Sequence, residues 1–233
     1  MRVSFKHKFI YLSNPKCGST TLRDVLTPYV DYSTMPTKGV ADPKVAIKIH
    51  MAAFEAKRTW DEASEEFKEK QGSWEDYYRF TTVRNPFKRI ASWYFMTMPD
   101  KNFKTSYELK FDIEWEGLAN FNDWLKYVVE NEELGVSNYH HMCCDLETKE
   151  LLLDDVFKIE EIDSSFPPKF EEKTGIKIAT PLPVIMPDFA SASESNALRY
   201  QGSYFDLYND ESISIIEQIY AEDLELFGYK FGE

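Results

Sequence analysis

The spacing of hydrophobic residues along the chain predicts alternating strands and helices. Short runs rich in β-branched and aromatic residues predict strands at 8–12, 45–49, 78–83 and 156–159. Apolar residues at one-face helical spacing predict helices near 20–28, 51–71 (in one or two pieces), 86–98, 121–130, 161–174 and 210–227. The aperiodic stretches 30–44, 100–117 and 179–203 are predicted to be loops. This alternation predicts an α/β fold, with a largely parallel sheet and helices on both faces.

Three candidates for binding or catalysis each directly follow one of the predicted strands. They are the loop after the first strand, His50 after the second and Arg84 after the third. Ligands of open parallel sheets bind outside the carboxyl ends of the strands. We therefore expect these features to share one site.

The segment from Asn14 to Thr21, NPKCGSTT, has the pattern of an anion-binding loop. A helix that begins after this loop would direct free backbone N–H groups and the positive end of its dipole at an anion. Gly18 permits close backbone approach. Lys16 adds a cation, and Ser19, Thr20 and Thr21 add hydroxyl donors. A purely structural turn, capped by Ser or Thr, is the alternative.

The order of residues in this loop argues against a nucleoside-triphosphatase loop. That motif, GxxxxGK[ST], places its lysine after the glycines. Here Lys16 precedes the single Gly18, and no strand ends in an aspartate that would suggest a magnesium ligand.

Composition narrows the class of ligand. The 233 residues suggest one domain, and their formal net charge of −13 argues against nucleic acid and other long polyanions. Within this acidic chain, residues 79–89 carry four basic residues and no acidic one. This island favours a small anionic ligand, with a solvated basic face as the alternative.

The remaining composition favours a metal-free cytosolic protein. The three cysteines, Cys17, Cys143 and Cys144, form no zinc-ligand spacing, and an adjacent pair is poorly suited to a structural disulfide. His140 and His141 near them likewise lack zinc spacing. No apolar run has the length of a membrane span or of a signal peptide, so a cytosolic location is expected, unless a targeting segment has been removed.

Two motifs resemble those of sulfotransferases that use 3′-phosphoadenosine 5′-phosphosulfate (PAPS). The segment Pro15–Thr21 resembles the 5′-phosphosulfate loop of that family, and Val83–Tyr94 (VRNPFKRIASWY) resembles its 3′-phosphate motif. Looser matches are Phe157–Glu160, to a late strand, and Tyr220–Phe231, to the terminal helix of the carbohydrate and bacterial branch. The resemblance spans nearly the whole chain.

The resemblance implies a fold and a domain organisation. The fold would be the three-layer arrangement of the P-loop NTPases, with a central, mainly parallel sheet flanked by helices. Residues 1–233 would form a single sulfotransferase domain. Its cofactor-binding core would comprise about 8–98 and 154–231, and 99–153 would be an acceptor-side insertion.

The resemblance also implies which residues bind the donor. The 5′ side would be bound by Pro15, Lys16, Cys17, Gly18, Ser19, Thr20 and Thr21, and the 3′-phosphate by Arg84 and Ser92. Arginine suits phosphate because its planar fork offers paired donors. Arg199 falls where relatives have a basic loop that closes over the nucleotide. Arg89 is a possible second cation, or a solvated surface residue.

The implied reaction transfers a sulfuryl group from PAPS to an acceptor hydroxyl and releases 3′-phosphoadenosine 5′-phosphate (PAP), without a metal. Lys16 would stabilise the leaving group, and His50 would be the general base. Lys48 is a further possible site residue, and Glu55 is the alternative base. The expected acceptor is a carbohydrate or small metabolite, and the oligomeric state stays open. A P-loop small-molecule kinase and a catalytically idle nucleotide-binding protein are the competing functions.

Overall fold

The structure, a computed structural model, describes residues 1–34, 51–97, 121–131, 138–183 and 203–232. Its strands are β1 (Arg2–Ser4), β2 (Phe9–Leu12), β3 (Tyr32–Ser33), β4 (Tyr78–Val83) and β5 (Asp155–Lys158). Its α-helices are α1 (Ser19–Leu26), α2 (Ala53–Asp61), α3 (Glu65–Gln71), α4 (Pro86–Thr97), α5 (Phe121–Asn131), α6 (Tyr139–Cys143), α7 (Ile162–Thr174), α8 (Asp210–Ile219) and α9 (Ala221–Phe227).

The strands form one sheet in the order β3-β1-β2-β4-β5. Both β2 and β5 pair with β4 in parallel, and β1 is antiparallel to β2 and to β3. Among the described strands, β1 alone therefore runs against the others. The predicted α/β class with a mainly parallel sheet is confirmed. Leu12 pairs with Thr81, so the loops that follow β2 and β4 leave the sheet at the same edge.

The chain divides into two compact units. The first comprises Met1–Arg84 and Tyr139–Ile185, and the second comprises Asn85–Asn138 and Met186–Glu233. The sheet belongs to the first unit. The division into a cofactor core and an acceptor-side insertion stays a prediction.

Helices cover both faces of the sheet in the first unit, because successive residues of β2 point to opposite faces. Ile10 and Leu12 pack in a cluster with α2 and α6. Phe9 and Tyr11 pack in a second cluster with α1 and α7. Both faces of β2 are thus buried, as its continuous apolar sequence indicates.

The second unit has an aromatic core of its own. Helices α4, α5 and α8 contribute apolar side chains to one buried cluster, which includes Phe87, Trp93, Trp124, Ile216 and Tyr220. Ring contacts such as Tyr94–Trp124, with centroids 5.2 Å apart, tie α4 to α5. This core fixes the position of α4 within its unit.

Two sequence-based predictions of elements were wrong. The helix predicted over 210–227 is broken at Tyr220, whose φ of −111° and ψ of 23° leave the helical region. The Tyr220 side chain is fully buried, so the turn lets both α8 and α9 keep their apolar residues against the same core. The segment 30–44 was predicted to be a loop, but its residues Tyr32–Ser33 form strand β3. This strand is held by main-chain hydrogen bonds to β1.

Other predictions fall outside the described residues. These include the strand 45–49, the loop 100–117 and most of 179–203. Within the described ranges, no helix combines the length and the apolar character needed to cross a bilayer. The predicted cytosolic location stays a prediction.

Candidate functional site

The loop between β2 and α1, residues 13–18, has an unusual backbone. Lys16 has a φ of 61° and Gly18 a φ of 74°, both left-handed. Glycine adopts this region freely, whereas for lysine it costs about 1 kcal/mol. The Cys17 N–H donates to the Asn14 carbonyl at 3.3 Å and closes the turn. A non-glycine residue held in this conformation points to a functional constraint on the loop.

The N-terminus of α1 presents backbone N–H groups that form no hydrogen bond with another described residue. The first helical bond runs from the Leu22 N–H to the Gly18 carbonyl. The N–H groups of Ser19, Thr20 and Thr21 precede it, and no side chain caps this end of the helix. Its first turn carries no acidic residue. Such an end suits an anion, because both the free donors and the helix dipole favour negative charge.

Strand β4 holds the loop in place through Thr82. Thr82 Oγ1 donates to the Cys17 carbonyl at 2.6 Å, and Asn14 Nδ2 donates to the Thr82 carbonyl at 3.1 Å. Thr82 and Asn14 are both buried. Sequence reasoning missed these roles for Asn14 and Thr82. The available signal was a hydroxyl residue near the end of a buried strand, where a polar group must find a partner.

Arg84 and Lys16 meet at the same loop. Arg84 Nη1 donates to the Lys16 carbonyl at 3.3 Å. Within the described ranges, no carboxylate lies at ion-pair distance from Arg84. The structure therefore brings together the loop after β2 and the arginine after β4, as the parallel pairing of these strands requires.

The environment of Lys16 disfavours its charged form. Burial and the nearby positive charge of Arg84 lower the pKa of the Lys16 ammonium to about 8. Cys17 has the opposite effect and raises this pKa, but by less. Desolvation is the largest of these causes. A bound anion would act in the opposite direction, since negative charge next to an ammonium raises its pKa.

The late-strand segment Phe157–Glu160 reaches the loop through Ile159. A Cβ atom added at Gly18 would overlap the Ile159 side chain. Ile159 directly follows β5 and packs against the cluster around Phe80 and Phe166. Gly18 is thus required both by its left-handed backbone and by this close approach.

The start of α4 follows Arg84 directly. Asn85 Oδ1 accepts a hydrogen bond from the Phe87 N–H at 3.0 Å, and Pro86 is the first residue of the helix. Asn85 Nδ2 donates to the Lys230 carbonyl at 2.9 Å. Asn85 therefore caps the helix, and Pro86 occupies the first position, where an N–H is not needed.

Arg89 and Ser92 lie on α4, in the second unit. Arg89 is only 3% exposed, so its interpretation as a solvated surface residue was wrong. Its guanidinium carbon lies 6.0 Å from the Trp93 ring centroid and 5.8 Å from that of Tyr220. These cation–π contacts partly compensate the buried guanidinium for its lost hydration. Ser92 is half-buried.

Three predicted site residues, Lys48, His50 and Arg199, lie outside the described residues. Glu55, the alternative base, is described. Its Oε2 accepts a hydrogen bond from the Ala52 N–H at 3.2 Å, at the start of α2. This carboxylate therefore has a local structural role.

The neighbouring residues His140, His141, Cys143 and Cys144 do not all lie in the same environment. His141 is exposed and lies edge-on to Phe54, with ring centroids 6.0 Å apart. Cys143 and Cys144 are buried, and neither forms a disulfide. In the ranges that the structure describes, no three metal-ligating side chains are grouped as an ion would require.

The chain is similar to one described family over nearly its whole length. The family model described as Sulfotransferase family matches residues 1–230. No curated protein and no solved structure matches the chain.

Proposed function

Because the chain belongs to the sulfotransferase family, we propose that it transfers a sulfuryl group from PAPS to an acceptor hydroxyl. The observation that carries this proposal is the loop 13–18. There Lys16 and Arg84 meet at the uncapped N-terminus of an α-helix that has no acidic residue in its first turn.

The groups available at this loop suit an anionic donor. Backbone N–H groups, hydroxyls and cations all donate hydrogen bonds, and they complement the oxygens of phosphate and sulfate. We propose that Pro15–Thr21 binds the 5′-phosphosulfate. Arg84 and Ser92 would bind the 3′-phosphate and Arg199 would lie near the nucleotide; these assignments rest on the sequence motif.

The proposed mechanism assigns separate tasks to Lys16 and His50. PAPS, when bound, supplies the sulfuryl group and leaves as PAP. Lys16, in its protonated form, donates a hydrogen bond to the leaving oxygen and neutralises its charge. His50 accepts the proton of the acceptor hydroxyl. Lys48 and Arg89 are further candidates for the site, and they have no assigned step.

We also propose the three-layer fold of the P-loop NTPases for the core of this chain. Its support is the strand–loop–helix unit β2–α1, the parallel neighbour β4 and the helices on both faces of β2. The single sulfotransferase domain, with its core at about 8–98 and 154–231 and an acceptor-side insertion at 99–153, belongs to the same proposal.

The proposed acceptor is a carbohydrate or a small metabolite that bears a hydroxyl group. Its support is the net charge of −13, which disfavours the approach of a polyanionic acceptor.

Two measurements test the proposal. In a thermal-shift assay PAP should raise the melting temperature, whereas ATP with magnesium should not. Radiolabelled PAPS incubated with a metabolite extract should yield a labelled product, whose identification names the acceptor. Stabilisation by ATP with magnesium alone would favour a small-molecule kinase. Binding of PAP without transfer across a broad acceptor panel would favour an idle nucleotide-binding protein.

A further inference from the structure

We infer that Thr82 and Asn14 are positioning residues, which hold the peptide groups of the anion-binding loop so that its N–H groups face the donor. The inference rests on the proposed function, because it assigns a role in binding PAPS. Neither residue belongs to the two motifs as binding groups. Their candidacy comes from the contacts that the fold makes around Cys17.

The first step concerns the peptide group that joins Cys17 to Gly18. Its carbonyl accepts a hydrogen bond of 2.6 Å from Thr82 Oγ1 and is thereby directed at β4. In a trans peptide the N–H points opposite to the C=O. The Gly18 N–H is therefore directed away from β4, and among the described residues no acceptor binds it.

The second step concerns Asn14, which closes a ring of contacts. Its side-chain amide donates to the Thr82 carbonyl at 3.1 Å, and its own carbonyl accepts from the Cys17 N–H at 3.3 Å. Asn14, Thr82 and Cys17 are thus linked pairwise in a buried cycle. This cycle fixes both peptide groups that flank Cys17, between the left-handed residues Lys16 and Gly18.

The third step is the consequence for binding. The Gly18 N–H directly precedes those of Ser19, Thr20 and Thr21 at the start of α1. Successive N–H groups at a helix start can bind one anion together. Pre-organised donors bind an anion without the free-energy cost of reorienting the backbone. Loss of the Thr82 hydroxyl would free the Cys17 carbonyl to turn, and the loop would then have to be ordered by the ligand.

The neighbouring threonine provides a matched control. Thr81 is also buried, and its Oγ1 donates to the Leu12 carbonyl at 2.6 Å. Leu12 is the last residue of β2, where the sheet already holds the backbone. Thr81→Val and Thr82→Val thus each remove one buried hydroxyl-to-carbonyl hydrogen bond, and only the second acts on the loop.

The test measures PAP affinity by calorimetry at a temperature where every variant is folded. Thr82→Val should weaken PAP binding about tenfold, since a lost positioning bond of this kind is worth about one power of ten. Thr81→Val should leave the affinity within about twofold. Both should lower the melting temperature similarly, and Thr82→Ser, which keeps the hydroxyl, should restore binding. Equal PAP affinity of Thr82→Val and Thr81→Val would overturn the inference.

A second readout does not depend on PAP. The rate of alkylation of Cys17, followed by peptide mapping, should rise in Thr82→Val and stay unchanged in Thr81→Val, because Cys17 is fully buried while the cycle is intact. If the wild type fails to bind PAP, the proposed function fails, and equal Cys17 alkylation in the two variants would then reject the positioning role as well. If Thr82→Val does not fold, Asn14→Ala replaces it in both assays under the same criteria.

Discussion

Lys16 shows at the scale of one residue how the fold prepares an anion site. Its backbone is left-handed, its side chain is half-buried and Arg84 adds positive charge nearby. Burial and Arg84 both disfavour the ammonium and lower its pKa to about 8. Negative charge bound next to Lys16 would offset both effects and favour the ammonium form.

The first prediction concerns pH. The charged form of Lys16 is fully present only below its pKa of about 8, so PAP affinity should fall as the pH rises from about 7.5 to about 9.5. The phosphates of PAP do not titrate in that window, because their last pKa is about 6. Calorimetric titrations across this range measure the effect.

Substitution of Lys16 tests the same prediction. Lys16→Met should flatten the pH dependence of PAP affinity and lower kcat about a hundredfold, as expected when one donor to a leaving oxygen is lost. Lys6→Met is the control, because Lys6 is exposed and lies outside the loop. A pH dependence that persists unchanged in Lys16→Met would assign it to another group.

The second prediction concerns His50. His50→Ala should lower kcat at least about a hundredfold, since a general base contributes that much or more. PAP affinity should stay within about twofold, because the base contacts the acceptor and not the nucleotide. Single-turnover transfer and calorimetry separate the two effects. A loss of PAP binding would instead place His50 in the donor site.

The sequence identified some residues of the candidate site and not others. Lys16 and Gly18 were identified because the order of residues within one short loop carries the information. The sequence left two interpretations of Arg89, as a second cation of the site or as a solvated surface residue. Its burial beside Trp93 and Tyr220 excluded the surface position. Thr82 was missed, because an isolated threonine in a strand has the same pattern whether or not its hydroxyl braces a loop.

At the scale of elements, the junction between β2 and α1 depends on Gly18. The third prediction is that Gly18→Ala destabilises the protein by more than Gly175→Ala does in urea denaturation. Both glycines have a left-handed φ, 74° and 72°. A Cβ at Gly18 would meet the Ile159 side chain, whereas a Cβ at Gly175 would meet no atom of the described residues within 4 Å. The left-handed backbone alone should cost Gly175→Ala about 1 kcal/mol.

A double-mutant cycle isolates the steric part of this effect. Ile159→Val removes the Cδ1 atom that a Cβ at position 18 would overlap. It should therefore recover part of the stability lost in Gly18→Ala and none of that lost in Gly175→Ala. Additive effects in both backgrounds would show that Ile159 does not limit the space at Gly18.

Most elements in the described ranges follow from periodicity. The predicted helices near 20–28, 86–98 and 161–174 correspond to α1, α4 and α7. Strands β1 and β3 were not predicted, because strands of two or three residues are too short to show a period. The break at Tyr220 was missed because an apolar stripe at helical spacing continues across it.

At the scale of the whole molecule, a local basic site is set in an acidic chain. The net charge is −13, whereas Lys16 and Arg84 meet at one loop. The negative charge of the whole chain repels a ligand more strongly as the ligand's own negative charge grows. At physiological salt this repulsion is screened beyond about 8 Å, whereas Lys16 and Arg84 attract an anion at short range. A compact anion can therefore bind where an extended polyanion is repelled.

The fourth prediction follows from this contrast. PAP-agarose should retain the protein at low salt, and heparin-agarose should not. Arg84→Ala should lose retention on PAP-agarose, because it removes a cation from the loop and from the proposed 3′-phosphate site. Arg23→Ala, a partly exposed arginine on α1 that pairs with Asp24, is the control. Retention on heparin would point to a basic surface that the overall charge conceals.

The sequence by itself determined the α/β class, the anion-binding loop and the family resemblance, because short-range periodicity and residue order encode them. Only the tertiary structure decided how the loop is held. Thr82 contacts Cys17 from 65 residues away, and Arg84 contacts Lys16 from 68 residues away. Such partners meet because β2 and β4 pair in parallel. The sequence of β2 is apolar on both faces, so it has no alternation from which this pairing register could be read.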